Sequence, residues 1–164
     1  MQIRGEAGDH QVAGVKTAAA KHNVGTVRES GDGVARTPDG LTAFVRYGCP
    51  GDVVRARVLE RHERFLRTTA EEVVEASAHR VDAPCPYFGA CGGCQWQHID
   101  YRFQGELKKM ILRESLERIG RIKDLPPMEV MLSPKPYDYR LRVQLKVRGQ
   151  TMGYFRERSH EIVD

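Results

Sequence analysis

A short run of cysteines has the residue types and the spacing for metal chemistry. Cys85, Cys91 and Cys94 form the pattern C-x5-C-G-G-C, and His98 follows four residues later. Thiolates are the soft ligands that zinc and iron–sulfur clusters prefer. Glycine allows tight turns, including positive φ, that can aim several sulfurs inward. The run therefore predicts a metal or iron–sulfur site.

Two kinds of metal site fit this spacing about equally well. Zinc needs four ligands, and His98 would complete a tetrahedral set with the three cysteines. A [4Fe–4S] cluster normally takes four cysteines, and only three lie in this run. A local disulfide would leave an odd thiol, and two successive glycines are poor core material, so these structural alternatives are weaker. The spacing alone leaves zinc and the cluster open.

The composition places limits on the class of protein. The 164 residues include only 4 cysteines, too few for a disulfide scaffold, which indicates a reducing compartment. There is no apolar run of transmembrane length, and the first 21 residues lack the apolar core of a signal peptide. We therefore expect a cytoplasmic protein without a membrane partner. The net charge of +4 favours a polyanionic partner without requiring one.

The first half of the chain predicts a small β-barrel. Residues 1–22 are rich in small and polar residues without a period, which predicts a flexible tail. Residues 23–80 alternate between β-type segments and turns such as Pro38-Asp39-Gly40, a pattern typical of a barrel. The predicted strands are 24–28, 34–36, 41–45, 53–59 and 65–76.

The second half predicts one helix and an antiparallel β segment, so the fold class is mainly β with α. Residues 81–99 form the cysteine loop, and residues 100–164 form the incomplete start of an α+β domain. Asp100 can cap a helix that runs to about Ile119 with a broad apolar stripe. A short strand is predicted at 128–132. A longer one at 140–148 would place Leu141, Val143, Leu145 and Val147 on one face, with 152–158 as its hairpin partner.

Arginine and lysine residues on these strands predict an RNA-binding surface. Cations that share one strand face without interleaved carboxylates repel one another and favour an external anion. A second, weaker stripe on the barrel is diluted by glutamates. The candidate RNA-binding residues are Arg140, Arg142, Lys146, Arg148, Arg156 and Arg158, with Arg55 and Arg57 on the barrel. Phe65, Tyr154 and Phe155 could add base stacking.

The cysteine run and its flanks resemble RNA uracil-C5 methyltransferases of the RumA type. The stretch from Pro84 to His98 is similar to the iron–sulfur loop of that family. Gly31-Asp32-Gly33-Val34-Ala35-Arg36 and Pro50-Gly51-Asp52-Val53-Val54 look like its N-terminal TRAM domain, a small OB-like barrel that binds RNA. Tyr139-Arg140-Leu141-Arg142 and the segment from Gly153 to Asp164 look like the start of its central domain. The resemblance covers residues 24–164.

The resemblance implies a [4Fe–4S] cluster held by Cys85, Cys91 and Cys94, with a fourth cysteine shortly beyond Asp164. It also implies a domain beyond this point that binds S-adenosylmethionine and carries the nucleophilic cysteine and the general base. That cysteine would add to C6 of uracil, so that C5 attacks the methyl group. No catalytic or S-adenosylmethionine-binding residue is expected in these 164 residues, and Cys49 is not expected to be a ligand.

These observations predict the RNA-binding and cluster-binding part of an S-adenosylmethionine-dependent RNA uridine-C5 methyltransferase. The resemblance points to rRNA processing, with 23S rRNA as the partner and a monomeric enzyme in the cytoplasm. These 164 residues alone should be inactive. The alternative is a non-enzymatic RNA-binding module whose three cysteines and His98 hold structural zinc.

Overall fold

The computed structural model describes residues 20–163, which divide into two compact units at the Arg80–Val81 bond. The first unit is a closed five-stranded barrel, and the second combines the cysteine loop, one helix and a three-stranded sheet. This architecture confirms the predicted fold class. The predicted tail falls mostly on residues 1–19, outside the described residues. None of the helices in the described part is long and apolar enough to span a membrane.

The barrel closes in the strand order β1-β2-β3-β5-β4. Its strands are β1 (Ala20–Val27), β2 (Gly33–Arg36), β3 (Thr42–Arg46), β4 (Val53–Arg61) and β5 (Phe65–Glu75). All neighbours are antiparallel except β3 and β5, which run parallel. Each of the five predicted strand segments overlaps one of these strands. β1 begins three residues before the predicted start of the barrel, because residues 20–23 pair with β4.

Small and β-branched side chains fill the barrel. Along each strand, alternate residues point inward, so apolar residues at every second position form one core. The buried cluster is Val24, Ala35, Ala43, Val45, Val54, Ala56, Leu66 and Ala70. The outward positions are partly exposed and include the aromatic residues Phe44 and Phe65.

A buried ion pair closes one end of the barrel. The carboxylate of Asp52 is 1% exposed and accepts hydrogen bonds from the backbone N–H groups of Cys49 (2.7 Å) and Ser77 (2.9 Å). The Arg80 guanidinium donates to the same carboxylate at 2.5 Å and to the Tyr47 carbonyl at 2.7 Å. Burial alone would raise the pKa of Asp52, but these hydrogen bonds and the Arg80 charge lower it below its ordinary value. The Asp52 side chain therefore ties the turn before β4 to the 77–80 segment after β5.

The helix α1 (Tyr101–Arg118) lies where the sequence predicts it. Asp100 is its N-cap, and its carboxylate accepts a hydrogen bond from the Phe103 N–H at 3.0 Å. A Cβ on Gly105 would lie 2.8 Å from the Leu132 side chain and 3.0 Å from that of Val130. Glycine, which costs about 1 kcal/mol inside a helix, is thus required here by close packing of the 130–132 segment.

The C-terminal sheet is shorter than the sequence predicts. Its strands are β6 (Lys146–Arg148), β7 (Thr151–Phe155) and β8 (Ile162–Val163), and β7 pairs with both neighbours. The predicted hairpin is confirmed, but the strands predicted at 128–132 and 140–145 are wrong, since both segments are irregular. A strand needs a neighbour for its backbone hydrogen bonds, and the pairing between β6 and β7 ends at Lys146.

The predicted apolar face of residues 141–147 is not buried. Leu141 is 103% exposed, Val143 is 59% exposed and Val147 is 70% exposed. The helix stripe is also largely open, because Leu107 and Gly105 are its buried residues while Met110 and Leu112 are about half exposed. Within residues 20–163 these apolar side chains therefore have no covering layer.

Candidate metal centre and nucleic-acid interface

The cysteine loop is docked against the residues that follow β7. The Gly92 N–H donates to the Phe155 carbonyl at 2.9 Å, and the Glu157 N–H donates to the Ala90 carbonyl at 3.1 Å. Cys91 and Arg156 thereby form an isolated antiparallel bridge. A Cβ on Gly92 would lie 3.1 Å from the Phe155 carbonyl oxygen, so the loop can approach the sheet this closely only with a small residue there. The position of Cys91 is therefore fixed by backbone pairing.

The glycines of the motif serve packing more than turn geometry. Gly89 has φ of 94°, but Gly92 and Gly93 do not adopt positive φ, which differs from the expectation that they supply it. A Cβ on Gly93 would lie 3.4 Å from both the Cys91 sulfur and the Tyr154 ring. The Gly93 N–H donates to the Cys91 sulfur at 3.4 Å. Such N–H···S contacts stabilise a thiolate and favour its use as a ligand.

All three motif cysteines are free thiols. Cys85 and Cys91 are half-buried, and Cys94 is exposed. The chemistry of this donor set fits zinc or an iron–sulfur cluster. Within residues 20–163, however, there is no group of three His, Cys, Asp or Glu side chains arranged to hold a metal ion. The predicted convergence of the three sulfurs stays a prediction; thiolates repel one another until a cation neutralises them, so ligand closure is coupled to metal binding.

His98 is a packed residue of the second unit. Its side chain is 3% exposed, and its ring lies 5.4 Å from the Phe88 ring, measured between centroids. The His98 carbonyl accepts a hydrogen bond from the Val81 N–H at 3.0 Å. His98 therefore joins the two ends of the cysteine loop, since Val81 and His98 stand near its start and its end.

Tyr137 is a neighbour of the cysteines that the sequence did not single out. Burial raises the pKa of the Tyr137 hydroxyl, and negative charge on Cys94 and Cys85 raises it further. Tyr137 therefore lies within electrostatic range of both cysteines. The sequence signal for this proximity is an aromatic residue within a proline-rich stretch.

Cys49 is also a free thiol, but its surroundings differ from those of the motif cysteines. It lies in the barrel unit, is fully buried, and burial raises the pKa of its thiol to about 11. At neutral pH it is a neutral, apolar side chain. That Cys49 is not a ligand stays a prediction, and its burial in the barrel unit supports it.

We expect this difference to appear in thiol alkylation. In metal-free, reduced protein at about pH 8, iodoacetamide should modify Cys94 first and Cys49 at least roughly 100-fold more slowly, because a thiol with a pKa near 11 is almost wholly protonated. Peptide mass spectrometry over a time course measures the rates. Denatured protein, in which all four thiols should react alike, is the control. Equal rates for Cys49 and Cys94 in the folded protein would contradict the buried position.

The barrel arginines named above are paired with carboxylates. Arg55 forms an ion pair with Glu72, and the Arg57 Nε lies 2.6 Å from a Glu71 carboxylate oxygen. These pairs join β4 to β5 across the outer face of the barrel. Their charge is therefore partly neutralised within the barrel, which weakens this stripe as a phosphate-binding surface.

The C-terminal cations are all exposed but do not share one strand face. Lys146 and Arg148 lie in β6, whereas Arg140 and Arg142 lie in the irregular segment before it. The Arg140 guanidinium lies 5.4 Å from the centre of the Tyr139 ring, and the Lys146 ammonium 5.7 Å from that of Phe155. Arg156 pairs with Glu161 at 3.3 Å, and Arg158 is an exposed residue with φ of 54°. All six cations thus lie in the second unit, on segments of different structure.

Comparison with known proteins defines the class of the barrel. Residues 23–70 match the TRAM domain family. This range covers most of the five barrel strands, and the predicted TRAM-like barrel is confirmed.

Relatives over a longer stretch carry the name of RNA methyltransferases. An uncharacterized RNA methyltransferase of Aquifex aeolicus is 42% identical over 126 residues, covering 77% of this chain and 30% of that protein. The 23S rRNA (uracil(1939)-C(5))-methyltransferase RlmD of Halomonas elongata is 42% identical over 139 residues, covering 82% of this chain and 28% of that protein. The chain therefore spans about three tenths of the length of these relatives.

A solved structure shows the same relationship in three dimensions. The tRNA (uracil-54, C5)-methyltransferase of Pyrococcus abyssi, in complex with S-adenosyl-L-homocysteine, matches with a TM-score of 0.56 and 29% sequence identity. The match covers 87% of this chain and 31% of that one. The chain thus matches the TRAM domain family over residues 23–70 and is similar to part of proteins named as RNA (uracil-C5) methyltransferases, as the sequence resemblance predicted.

Proposed function

We propose that this chain is the RNA-binding and [4Fe–4S]-binding part of an S-adenosylmethionine-dependent RNA uridine-C5 methyltransferase. The observation that carries the proposal is a TRAM barrel followed in one chain by a loop of three free thiols. The relatives named above support the reaction class. Methyl transfer and S-adenosylmethionine binding are assigned to a part of the enzyme other than residues 1–164. The whole enzyme is proposed to be a cytoplasmic monomer.

Cys85, Cys91 and Cys94 are the proposed cluster ligands. The cluster would join the cysteine loop to a fourth thiolate and so fix the position of both segments. Backbone pairing of Cys91 with Arg156 already holds the loop against the sheet, and the Gly93 N–H is placed to stabilise the Cys91 thiolate. A structural role is thereby favoured, with ligand closure completing the second unit.

The proposed target is a uridine of 23S rRNA. The relative from Halomonas elongata supports this choice at 42% identity. The solved relative acts, by its title, on uracil 54 of tRNA and is 29% identical, so tRNA is the second candidate. Methyl transfer by the full-length enzyme to unmodified 23S rRNA fragments and to unmodified tRNA, followed by mass spectrometry of nucleosides, distinguishes the two.

The exposed cations of the second unit are proposed to bind RNA phosphates. Replacing Arg140 and Arg142 by glutamine should weaken binding of a single-stranded RNA and flatten its salt dependence. Each lost phosphate contact should reduce the slope of log affinity against log salt by about 0.7. Fluorescence anisotropy over a salt series with the 164-residue chain measures both quantities.

Stability should not confound this double substitution. Both side chains are exposed in an irregular segment, so the thermal unfolding midpoint should stay within about 1–2 °C of the parent. Arg121→Gln, which also removes an exposed arginine of the second unit, is the matched control and should leave the slope unchanged. If affinity and slope match the parent in the Arg140 and Arg142 variant, these residues do not bind phosphate.

The Cys3His zinc module remains the second candidate function. His98 favours it only by its spacing in sequence, because the His98 ring is buried against Phe88. Colour separates the two, since an iron–sulfur protein absorbs visible light and zinc does not.

A further inference from the structure

We infer that the outer face of the barrel carries a second RNA contact, an aromatic platform on which unpaired bases stack. The platform consists of Phe44, Phe65 and His62 with Arg28 beside them. It rests on the proposed function, since it presumes an RNA substrate. It is separate from the cations of the second unit and uses different chemistry.

The three rings form one continuous set of contacts. The Phe44 and Phe65 ring centroids are 5.4 Å apart with an angle of 59° between the planes. The His62 ring stacks on Phe65 at 4.2 Å and 22°. The Arg28 guanidinium lies 4.9 Å from the centre of the Phe44 ring. Arginine and aromatic faces in such contact provide the surfaces on which nucleobases stack.

The barrel holds these side chains in place from beneath. Phe44 lies between the buried residues Ala43 and Val45 on β3, so it must point outward. Phe65 begins β5 and pairs with Thr42, on the same outer face of β3. The His62 N–H donates to the Phe65 carbonyl at 2.9 Å, which closes the turn that brings His62 over the Phe65 ring. A rigid platform loses little entropy when a base stacks on it.

Both phenylalanines are half-buried, and His62 is exposed. Aromatic residues whose only role is packing would normally lie in the barrel core, but the core is filled by alanine, valine and leucine. The rings therefore lie on the outer surface of the barrel, with His62 stacked on Phe65 and the Arg28 guanidinium over Phe44, and a base would stack on this capped set.

The charges around the platform suit a polyanion. Arg36 and Arg64 are exposed and form no ion pair within residues 20–163, and Arg28 contacts only its sequence neighbour Glu29 as an ion-pair partner there. One carboxylate also borders the platform: Glu60 lies 3.4 Å from Arg67, the β5 neighbour of Phe44, and 3.2 Å from the His62 ring nitrogen. Unpaired bases on the rings would place their phosphates among these arginines. A protein partner would need a larger apolar surface than two half-buried rings.

Phe44→Leu combined with Phe65→Leu tests the platform in the 164-residue chain. The probe is a fluorescein-labelled, unstructured 12-nucleotide RNA rich in uridine, titrated by anisotropy at several salt concentrations. Affinity should fall roughly 5- to 150-fold for each stacked base that is lost. The salt slope should stay unchanged, because no charge is removed. Tyr87→Leu, at an exposed tyrosine of the cysteine loop, is the matched control and should bind like the parent.

A crosslinking measurement covers the case in which the double variant folds poorly. The unmodified chain is irradiated with the same RNA containing 4-thiouridine, and the adduct is located by peptide mass spectrometry. Adducts on Phe44, His62 or Phe65 support the platform. Affinity of the double variant equal to that of the parent, or adducts confined to residues 137–158, would overturn it while leaving the proposed function intact. Absence of RNA binding by the unmodified chain would overturn both.

Discussion

Asp52→Asn should lower the free energy of unfolding of the barrel by about 3–5 kcal/mol, the cost of breaking a buried ion pair from one side. The carboxylate is inaccessible to solvent and uses both oxygens, since the Cys49 N–H, the Ser77 N–H and the Arg80 guanidinium donate to it. Asparagine offers one acceptor oxygen and no charge. It would leave a backbone N–H unsatisfied and the Arg80 side chain, 16% exposed, without its counter-charge.

Urea unfolding followed by circular dichroism measures this loss. The matched control is Asp39→Asn, which removes an exposed carboxylate from a turn of the same barrel and should change the free energy by less than about 0.5 kcal/mol. A change below about 1 kcal/mol for Asp52→Asn would show that Asp52 does not hold the barrel closed.

The same pair gives the barrel a defined acid sensitivity. The pKa of Asp52 is lower in the folded chain than in the unfolded chain, so the unfolded state binds the proton more tightly. The contribution of Asp52 is complete above about pH 4, its unfolded pKa, and is lost as the pH falls through the lower folded pKa. The Asn variant should therefore lose less stability than the parent on acidification over this window.

Serine substitution of Cys85, Cys91 or Cys94 should abolish the visible absorbance of the anaerobically reconstituted chain. The chain is treated with ferrous iron, sulfide and a thiol reductant. The thiol can coordinate the one iron of the cluster that lacks a protein ligand. Serine is a poor ligand for iron–sulfur clusters, so each single substitution removes one of only three cysteine ligands in the loop. Iron per chain and the absorption spectrum are the two readouts.

Cys49→Ser is the matched control for these variants, because Cys49 is buried in the other unit. It should retain the iron and the colour of the parent. A colourless parent protein that binds one zinc ion and loses it on His98→Ala would contradict the cluster and favour the zinc module instead.

The barrel could be predicted from the sequence because its signals are local. Turns such as Pro38-Asp39-Gly40 separate strands whose inward residues alternate, and both signals lie within a few residues. The helix was predicted for the same reason, since Asp100 caps it through the Phe103 N–H. In the cysteine loop, residue type and spacing identified the thiols but could not give their geometry.

The features that the sequence did not show depend on contacts between distant segments. Arg55 and Arg57 look like a cationic stripe until Glu72 and Glu71 are placed beside them by the β4–β5 register. The alternation at 141–147 predicts a strand, yet strand formation also needs a neighbouring strand, and within this segment β7 pairs with residues 146–147 alone. Phe44 and His62 were overlooked because their proximity to Phe65 arises only when the barrel closes.

Direct RNA binding by the 164-residue chain tests the central claim. The chain is titrated by fluorescence anisotropy against a labelled fragment of 23S rRNA that contains the uridine corresponding to the target of the Halomonas elongata relative, with unlabelled tRNA as competitor. We predict saturable binding that weakens steeply with salt, since several phosphates are neutralised at once. Unlabelled 23S fragment should displace the labelled fragment at a lower concentration than tRNA does. Absence of binding to either RNA at about 50 mM salt, where electrostatic binding is strong, would contradict the account.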